Sequence, residues 1–408
     1  MTNAIIDSNL YWRLPGPRSF ITRISEKVLN TRLLWVNLPI HSIPGTWDGV
    51  EEGVRHAHID TVIKLRIGGG TDIAGEVGVH FGRTSLTAAE LMLHTADRRS
   101  AVILLPQDDD GKANCSKYAG EFIQSLDKGQ GNVLLIVGGN EESLITDTSN
   151  MGIQVIAFDG GLSPDEMDAY VAIRMLDRPG PGSTRLTRAI VSEFAGFDVE
   201  LAELIMQLNE SQIVNIMSNL SILMGDSPFR WRYDTWLWLT RSSSAPGMTH
   251  TLHDKYLSEH GPLAGRADAL ERIKQRYWRA CVKTISPWLE ERRKAVIGIF
   301  GAQIKAEAAR NNGTIPKFTG KDRFGNDRFV QLAPEELEYN NIVGMIRQGI
   351  LGATTVEEKC AESVCKFTKV VRDEIAHLRA PLPSDVIDLI REMDHLPILD
   401  CRDRKVPN

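Results

Sequence analysis

The amino-acid sequence predicts an α/β domain built on a parallel sheet, followed by an all-α helical bundle. In the first part of the chain, apolar runs of strand length alternate with amphipathic segments, the order that gives parallel strands joined by helices. In the last part, the apolar residues recur mainly at helical spacing. Because 408 residues exceed what one small hydrophobic core supports, about two or three domains are expected.

Five apolar runs are predicted to be strands buried on both faces of the sheet, because they lack the strict alternation of a half-exposed strand. These runs are 33–38, 61–65, 101–105, 133–137 and 153–157. Helices are predicted around 19–29, 85–97, 115–126 and 164–177. The clearest helix start is Ser163-Pro164-Asp165-Glu166, which supplies an N-cap serine, a proline at the first helical position and acids in the first turn.

This order of elements resembles an AAA-type or related P-loop ATPase domain whose nucleotide machinery is degenerate. The resemblance implies a Walker A loop after the first strand, but the turn at 39–47 lacks Gly-Lys-Ser/Thr. The third strand ends in Leu105-Pro106-Gln107-Asp108 instead of a Walker B sequence. We therefore expect no ATP hydrolysis and no bound cofactor. An unrelated doubly wound α/β domain fits the pattern equally well, and an active NTPase with an unusual loop ranks last.

The glycine run Gly68-Gly69-Gly70 is a second candidate phosphate loop, since glycines let backbone N–H groups approach an anion. Residues 74–80 are predicted to be extended, which would leave no helix N-terminus to complete such a site. We therefore interpret the run as a glycine-rich turn.

The middle of the chain is predicted to be helical from 184 to 223, with Asp198 as an N-cap. Arginines interleave with aromatic residues at 229–238, a pattern that suits either core anchors, which we favour, or base stacking. Residues 242–247 are the best linker candidate. The histidines His250, His253 and His260 are predicted to lie exposed in a loop, and no metal site is expected from them.

Helices are predicted again from 263 to 310, with a break at Ser286-Pro287, and at 335–350, 355–379 and 382–393. Between them, residues 311–334 are predicted to form an inserted hairpin or loop. Its cations could contact an RNA backbone or belong to a solvated surface loop, the interpretation we favour slightly. They are Lys317, Lys321, Arg323 and Arg328.

The segment 371–381 places Arg372 and His377 near the end of a predicted helix. A guanidinium holds a phosphate through its planar fork, and an imidazole can move a proton near neutral pH. Together they form a metal-free set for cutting RNA through its own 2′-hydroxyl. The alternative is an ordinary helix end, with Arg372 paired to an acid and His377 near the last carbonyls.

The string from Arg372 to His377 resembles the Arg-x4-His signature of HEPN domains, and the resemblance covers roughly the last third of the chain. It implies a helical bundle that dimerises so that two motifs face each other, and a metal-independent endoribonuclease of a prokaryotic defence or toxin system. Asp373 stands where asparagine is commoner in that family. HEPN-like bundles also serve as non-catalytic dimerisation or partner-binding modules, which is our alternative interpretation.

The expected roles follow from the chemistry of the side chains. His377 is predicted to act as general base or acid, Arg372 to stabilise charge on the phosphate, and Asp373 to orient a partner group across the dimer. Lys369 and Arg379 are predicted to add RNA phosphate contacts. On one helix Arg372 and His377 project about 140° apart and cannot share one narrow face, so a common cleft requires either a frayed helix end or two motifs that meet across a dimer.

We accordingly predict a degenerate ATPase-like domain at 1–183, a helical lid or winged-helix-like segment at 184–245 and a HEPN-like domain at 246–408. The net charge of −6 argues against a protein coated for nucleic-acid binding, without excluding one basic site. Five scattered cysteines indicate free thiols in a cytoplasmic protein. No signal segment or membrane span is expected. Expected partners are RNA, a second copy of the chain through its C-terminal helices, and a further defence protein.

Overall fold

A computed structural model describes residues 6–37, 43–126, 131–139, 153–158, 160–176, 183–224, 249–321, 323–324 and 327–396. Two compact units are present. The first comprises Met1–Tyr170, Gly196–Glu203 and Pro228–His253, and the second comprises Val171–Ala195, Leu204–Ser227 and Asp254–Asn408. The predicted boundaries at 183 and 245 stay predictions, and the arginine-aromatic segment at 229–238 and the linker at 242–247 lie outside the described residues.

A parallel sheet of five strands forms the centre of the first unit. Its strands are β1 Leu33–Asn37, β2 Thr61–Ile67, β3 Ser100–Pro106, β4 Val133–Gly139 and β5 Ile153–Ala157. The strand order is β2-β3-β4-β1-β5, and every neighbouring pair runs parallel. All five predicted strands are confirmed in position. The predicted burial on both faces holds throughout β3, whose apolar run encodes it. It is wrong for β2, an edge strand in which the buried Ile63, Leu65 and Ile67 alternate with residues that face water.

The helices of the first unit cover the two faces of the sheet. They are α1 Ser8–Tyr11, α2 Pro15–Leu29, α3 Thr46–His56, α4 Ile73–His80, α5 Ala88–Leu93, α6 Asp109–Gln124 and α7 Pro164–Arg174. From β1 the chain passes β4 and β3 to reach β2 at one edge of the sheet, whereas the later connections, from β2 through β3 and β4 to β5, run toward the other edge. Right-handed crossovers therefore place α3 on the face opposite α6, and α3 packs with α2 while α6 packs on β2, β3 and β4.

Helix α4 corrects the prediction that residues 74–80 are extended. Ile73 and Val77 are buried in the core on one side of the sheet, and their four-residue spacing is that of a helix. Gly78 is needed here because a Cβ would collide with the backbone of Ser85. The two glycines inside this short helix hid its periodicity in the sequence.

The second unit is helical apart from one hairpin. Its helices include α8 Ser183–Ala195, α10 Glu210–Val214, α11 Ile216–Met224, α13 Leu263–Ile299 and α14 Gly301–Arg310. The division between the units falls within α9 Val199–Met206 and within α12 Thr251–His260. Strands β6 Ile315–Lys321 and β7 Asp327–Leu332 form the antiparallel hairpin, and the helices α15 Tyr339–Arg347, α16 Val356–Ala376 and α17 Pro383–Asp394 follow it. The predicted hairpin and the last three helices are confirmed.

The predicted break at Ser286-Pro287 is wrong, because α13 runs through Pro287 and ends at Ile299. Pro287 lies on the exposed side, whereas Ile285 and Leu289 beside it are buried. This packing holds both halves of the helix in line and offsets the lost backbone hydrogen bond. The chain instead changes direction at Phe300, which separates α13 from α14.

The histidines predicted to lie in an exposed loop are also corrected. His250 and His253 are buried, and His253 and His260 belong to α12. The His250 Nε2 lies 3.0 Å from an oxygen of Asp198. Asp198 is the N-cap as predicted, since its carboxylate accepts from the N–H groups of Glu200 and Leu201.

Polar groups in the core of the second unit are joined in ion pairs. The buried Asp254 carboxylate accepts from Arg272 at 2.7 Å and from Arg276 at 3.2 Å. Glu193, also buried, pairs with Arg279 and Lys283. These contacts link Glu193 of α8 and Asp254 of α12 to α13.

The described cysteines are free thiols, as the sequence predicted. Cys115 lies in the core of the first unit, Cys281 and Cys365 lie in the core of the second, and Cys360 is partly exposed. Cys401 lies outside the described residues. Over the ranges described, no helix combines the length and the apolarity that crossing a bilayer requires.

Candidate functional site

The predicted motif lies in the last turn of α16. This helix begins with a capping box, in which the Thr355 hydroxyl accepts from the N–H of Glu358 and the Glu358 carboxylate accepts from the N–H of Thr355. An apolar stripe then turns one face into the core. It consists of Ala361, Val364, Cys365, Thr368, Val371 and Ile375. Since Val371 and Ile375 are buried, the intervening Arg372 and Asp373 are left half-buried at the margin of the core.

The end of α16 is fixed by a Schellman motif. The N–H of Arg379 donates to the Glu374 carbonyl at 2.9 Å, and the N–H of Leu378 donates to the Ile375 carbonyl at 3.1 Å. Leu378 adopts a φ of 58° to allow this, in the left-handed region where glycine is usual. The Trp278 indole donates to the Ile375 carbonyl at 2.9 Å and ties the end to α13.

Arg372 lines a cavity of about 290 Å³ within the second unit. Its Nη1 donates to Glu338 Oε2 at 2.6 Å. This hydrogen bond raises the pKa of Arg372 and lowers the pKa of Glu338. The nearby carboxylate of Asp373 raises the pKa of Arg372 further. The guanidinium is therefore charged, oriented and held by one acid.

The cavity as a whole is acidic. Four glutamates line it beside two arginines, together with Ser286, Leu289 and Tyr339. The acids are Glu290, Glu335, Glu336 and Glu338, and the second arginine is Arg293. Arg293 pairs with Glu290 at 2.6 Å and donates to the carbonyls of Glu335 and Leu337. Because the acids outnumber the cations, a phosphate entering this cavity would meet net repulsion unless Glu338 gave up Arg372.

His377 does not line this cavity. It is the exposed C-cap residue of α16, and its backbone N–H donates to the Asp373 carbonyl at 3.1 Å. Its imidazole makes no hydrogen bond or ion pair with any residue that the structure describes. The structure therefore brings Arg372 and Asp373 to the cavity margin and leaves His377 outside it, as the angular separation of the two side chains indicates.

The two further cations predicted near the motif have different surroundings. Lys369 is exposed on α16. Arg379 is also exposed and pairs with Glu374 at 2.8 Å. The sequence did not indicate Glu338 or Arg293, because 34 residues separate Glu338 from Arg372 and neither belongs to a recognisable motif.

The turn after β1 stands where a P-loop ATPase would have its phosphate loop. Gly45 precedes α3 with a φ of 83°, and Thr46 and Trp47 occupy the first turn of that helix. The Trp47 ring packs on Gly138 of β4, where any Cβ would collide with it. Residues 38–42 lie outside the described ranges. A bulky ring thus stands against the carboxyl end of β4, next to β1, at the reversal of strand order where open α/β sheets usually bind ligands.

The glycine run after β2 is followed by the N-terminus of a helix, which the sequence did not predict, since α4 begins at Ile73. Its surroundings are nevertheless unsuited to phosphate. The side chains of Asp108 and Asp110 lie beside Gly68 and Gly69. Asn114 donates to the carbonyls of both glycines. Two carboxylates at this turn oppose an anion, so its interpretation as a glycine-rich turn is retained.

No group of three or more histidine, cysteine, aspartate or glutamate side chains suited to a metal ion occurs in the part of the chain that the structure describes. No family model and no curated protein matches the chain. Among solved structures, C. elegans PCH-2 is similar at 16% identity over 52% of this chain, with a TM-score of 0.27. The matched region spans 65% of PCH-2, less than two thirds of its length.

A second similar structure is Drosophila ORC bound to poly(dA/dT) DNA and Cdc6. It has 12% identity over 95% of this chain and 69% of its own, with a TM-score of 0.27. Similarities this distant say nothing about the function of this chain.

Proposed function

We propose that the chain is a metal-independent endoribonuclease in which Arg372 and His377 cut RNA through the 2′-hydroxyl. The observation that carries the proposal is the end of α16. A rigid, capped helix terminus presents an imidazole that has no bonding partner among the described residues, five positions after an oriented guanidinium. Neither side chain is buried, so both are accessible to a polyanion.

The reaction follows from these two groups. The His377 imidazole removes the proton of a ribose 2′-hydroxyl, and the resulting oxygen attacks the adjacent phosphorus. The P–O5′ bond breaks, and the leaving oxygen takes a proton from an imidazolium. Arg372 stabilises the charge that accumulates on the phosphoryl oxygens. The products are a 2′,3′-cyclic phosphate and a 5′-hydroxyl.

A second copy of the chain completes the site in this proposal. Within one chain Arg372 lines the cavity and His377 does not. Two α16 ends that face each other across a two-fold axis would bring the arginine of one copy to the histidine of the other. Asp373 would then orient a group of the opposite copy, and Lys369 and Arg379 would extend the phosphate contacts. The assembly is a homodimer or a larger oligomer formed through the C-terminal helices.

The α/β unit serves in this proposal as a non-hydrolysing sensor or scaffold derived from a P-loop ATPase. The whole chain is proposed as a cytoplasmic effector of an antiviral defence or toxin system. A further defence protein is its proposed activating partner.

The acidic cavity supports a second candidate function. Four glutamates around Arg372 suit a lysine- or arginine-rich segment of a partner better than RNA. On this alternative the helical unit is a non-catalytic interaction or scaffold subunit that dimerises through the same helices.

An RNA cleavage assay separates the two functions. RNA pools are incubated with the wild type, Arg372→Ala and His377→Ala in EDTA, with genomic-neighbour proteins added in a parallel series. Arg391→Ala and His395→Ala are matched controls, because α17 carries its own exposed Arg-His pair at its end. Cleavage of RNA but not DNA, with a cyclic phosphate product and loss only in the α16 variants, supports the nuclease. Cleavage that persists in both α16 variants or depends on metal contradicts it.

A further inference from the structure

The β6–β7 hairpin carries an apolar surface that the proposed reaction does not use. Phe324 at its tip is 73% exposed and Phe329 on β7 is 55% exposed. Val330 beside Phe329 is also largely exposed. Both rings are exposed over more than half of their surface, and exposed apolar groups of this kind mark contact surfaces.

The charge of the hairpin is opposite to that of the whole chain. Residues 311–333 contain four cations and two aspartates, whereas the chain has a net charge of −6. The Arg323 guanidinium lies 4.7 Å from the centre of the Phe324 ring, so cation and ring form one stacked unit at the tip. Positive charge interleaved with exposed rings is the composition of a surface that binds single-stranded nucleic acid.

The register of the hairpin places two of its cations on one face. Lys317 pairs with Val330, so the two residues share one face, and Arg328 lies on that face two positions before Val330. Ile315, on the same face, is buried. The pKa of Glu338 is lowered chiefly by its hydrogen bond with Arg372, and the charge of Lys317 lowers it further.

We propose that the β6–β7 hairpin is a binding arm for single-stranded RNA, and this inference rests on the nuclease function proposed above. The ribose-phosphate backbone follows Lys317 and Arg328 toward Arg372. Unpaired bases stack on Phe324 at the tip and, where the strand passes over the edge of the hairpin, on Phe329, which lies on the face opposite Arg328 and Val330. Single strands are specified because a duplex hides its base faces from aromatic side chains. The arm also supplies the positive charge that the acidic cavity lacks.

The test measures RNA binding by the full chain separately from cleavage. A fluorescein-labelled, single-stranded 2′-O-methyl oligonucleotide is the probe, because its blocked 2′-oxygen prevents cleavage. By fluorescence anisotropy, the double substitution Phe324→Ala/Phe329→Ala is expected to weaken binding about tenfold or more. Lys317→Ala and Arg328→Ala are each expected to reduce the slope of log affinity against log salt by about 0.7.

Controls distinguish the arm from general surface effects. Leu263→Ala/Val356→Ala removes two exposed apolar side chains elsewhere and is expected to leave binding unchanged, as is Lys359→Ala. Phe324→Trp/Phe329→Tyr retains the rings and is expected to retain binding. Thermal unfolding verifies that each variant is folded.

Each outcome bears on the arm itself. No binding by the wild type, equal binding by the Phe324→Ala/Phe329→Ala variant, or displacement of the probe by polyglutamate at concentrations where unlabelled RNA fails would overturn the inference. The last result would identify an acidic protein partner instead. Arm-dependent binding without cleavage of an unmodified RNA would sustain the arm and reject the nuclease, so the two proposals fail separately.

Discussion

Arg372 and Asp254 both form ion pairs, but only Asp254 is removed from water. The Arg372 side chain is 42% exposed and its partner Glu338 is 44% exposed. The Asp254 side chain is completely buried against Arg276, which is itself buried. An exposed pair gains little because water and salt screen it, whereas breaking a buried pair leaves an uncompensated charge in the core.

We therefore expect Arg372→Ala and His377→Ala to change the free energy of unfolding by no more than about 0.5 kcal/mol. Asp254→Ala is expected to lower it by about 3 to 5 kcal/mol, because Arg272 and Arg276 lose their carboxylate. Urea unfolding followed by circular dichroism measures both effects. A loss of about 2 kcal/mol or more in Arg372→Ala would show that this arginine serves the fold, and would weaken the catalytic proposal.

At the scale of elements, α13 carries a proline that its packing tolerates. Pro287 lacks the N–H that would donate to the Lys283 carbonyl, and it faces solvent, so replacing it removes no buried contact. Pro287→Ala is expected to raise the free energy of unfolding by about 1 to 3 kcal/mol. Thermal unfolding is the measurement, with Ser286→Ala as the neighbouring control. A lower melting temperature in Pro287→Ala would mean that the proline fixes a bend the fold requires.

The strand-turn-helix after β1 leads to a prediction about nucleotide chemistry. Thr46 and Trp47 follow Gly45 where a P-loop has lysine and a hydroxyl residue, so Thr46 supplies no ammonium for the phosphates and Trp47 no hydroxyl for magnesium. Purified protein is expected to release no phosphate from ATP above background in the presence of magnesium. A colorimetric phosphate assay tests this. Turnover that Asp109→Ala abolishes would contradict the expectation.

The elements that the sequence predicted correctly share one physical property. The strands of the sheet are apolar runs, except that Lys64 and Arg66 alternate with the apolar residues of β2. Each of the last helices has a long apolar stripe or a clear cap, such as Thr355 before α16. Local composition encodes these features directly. Helix α4 was not predicted because its buried apolar side chains are only Ile73 and Val77, and Gly75 and Gly78 weaken the helical periodicity around them.

The remaining errors depend on contacts distant in sequence. His250 was predicted to be exposed because nothing near it indicates the Asp198 carboxylate that it meets across 52 residues. The same limit applies to the candidate site. The sequence located Arg372 and His377 on the end of one helix, but the acidic cavity and the Glu338 contact arise only when α13, α15 and α16 pack together.

At the scale of the whole molecule, a site shared between two copies makes a prediction for mixtures. Arg372→Ala and His377→Ala proteins are each expected to be inactive. Equimolar mixing and exchange would give half mixed dimers, in which one of two sites has both native side chains, so about a quarter of wild-type activity returns. RNA cleavage measured before and after exchange tests this. No recovery after proven subunit exchange would place the whole site within one chain.

Each unit contains a buried cysteine whose reactivity reports how often that unit opens. Burial raises the pKa of Cys115 in the first unit and of Cys365 in the second to about 12, so neither thiol reacts while its core is closed. A thiol reagent can modify them only after local or global opening, so the rate of modification measures how often each core opens. Mass spectrometry of labelled peptides can measure the modification of Cys115 and of Cys365 in one sample. If RNA or a partner slows the modification of one of these cysteines and not of the other, the unit that contains the slowed cysteine is the one that it binds.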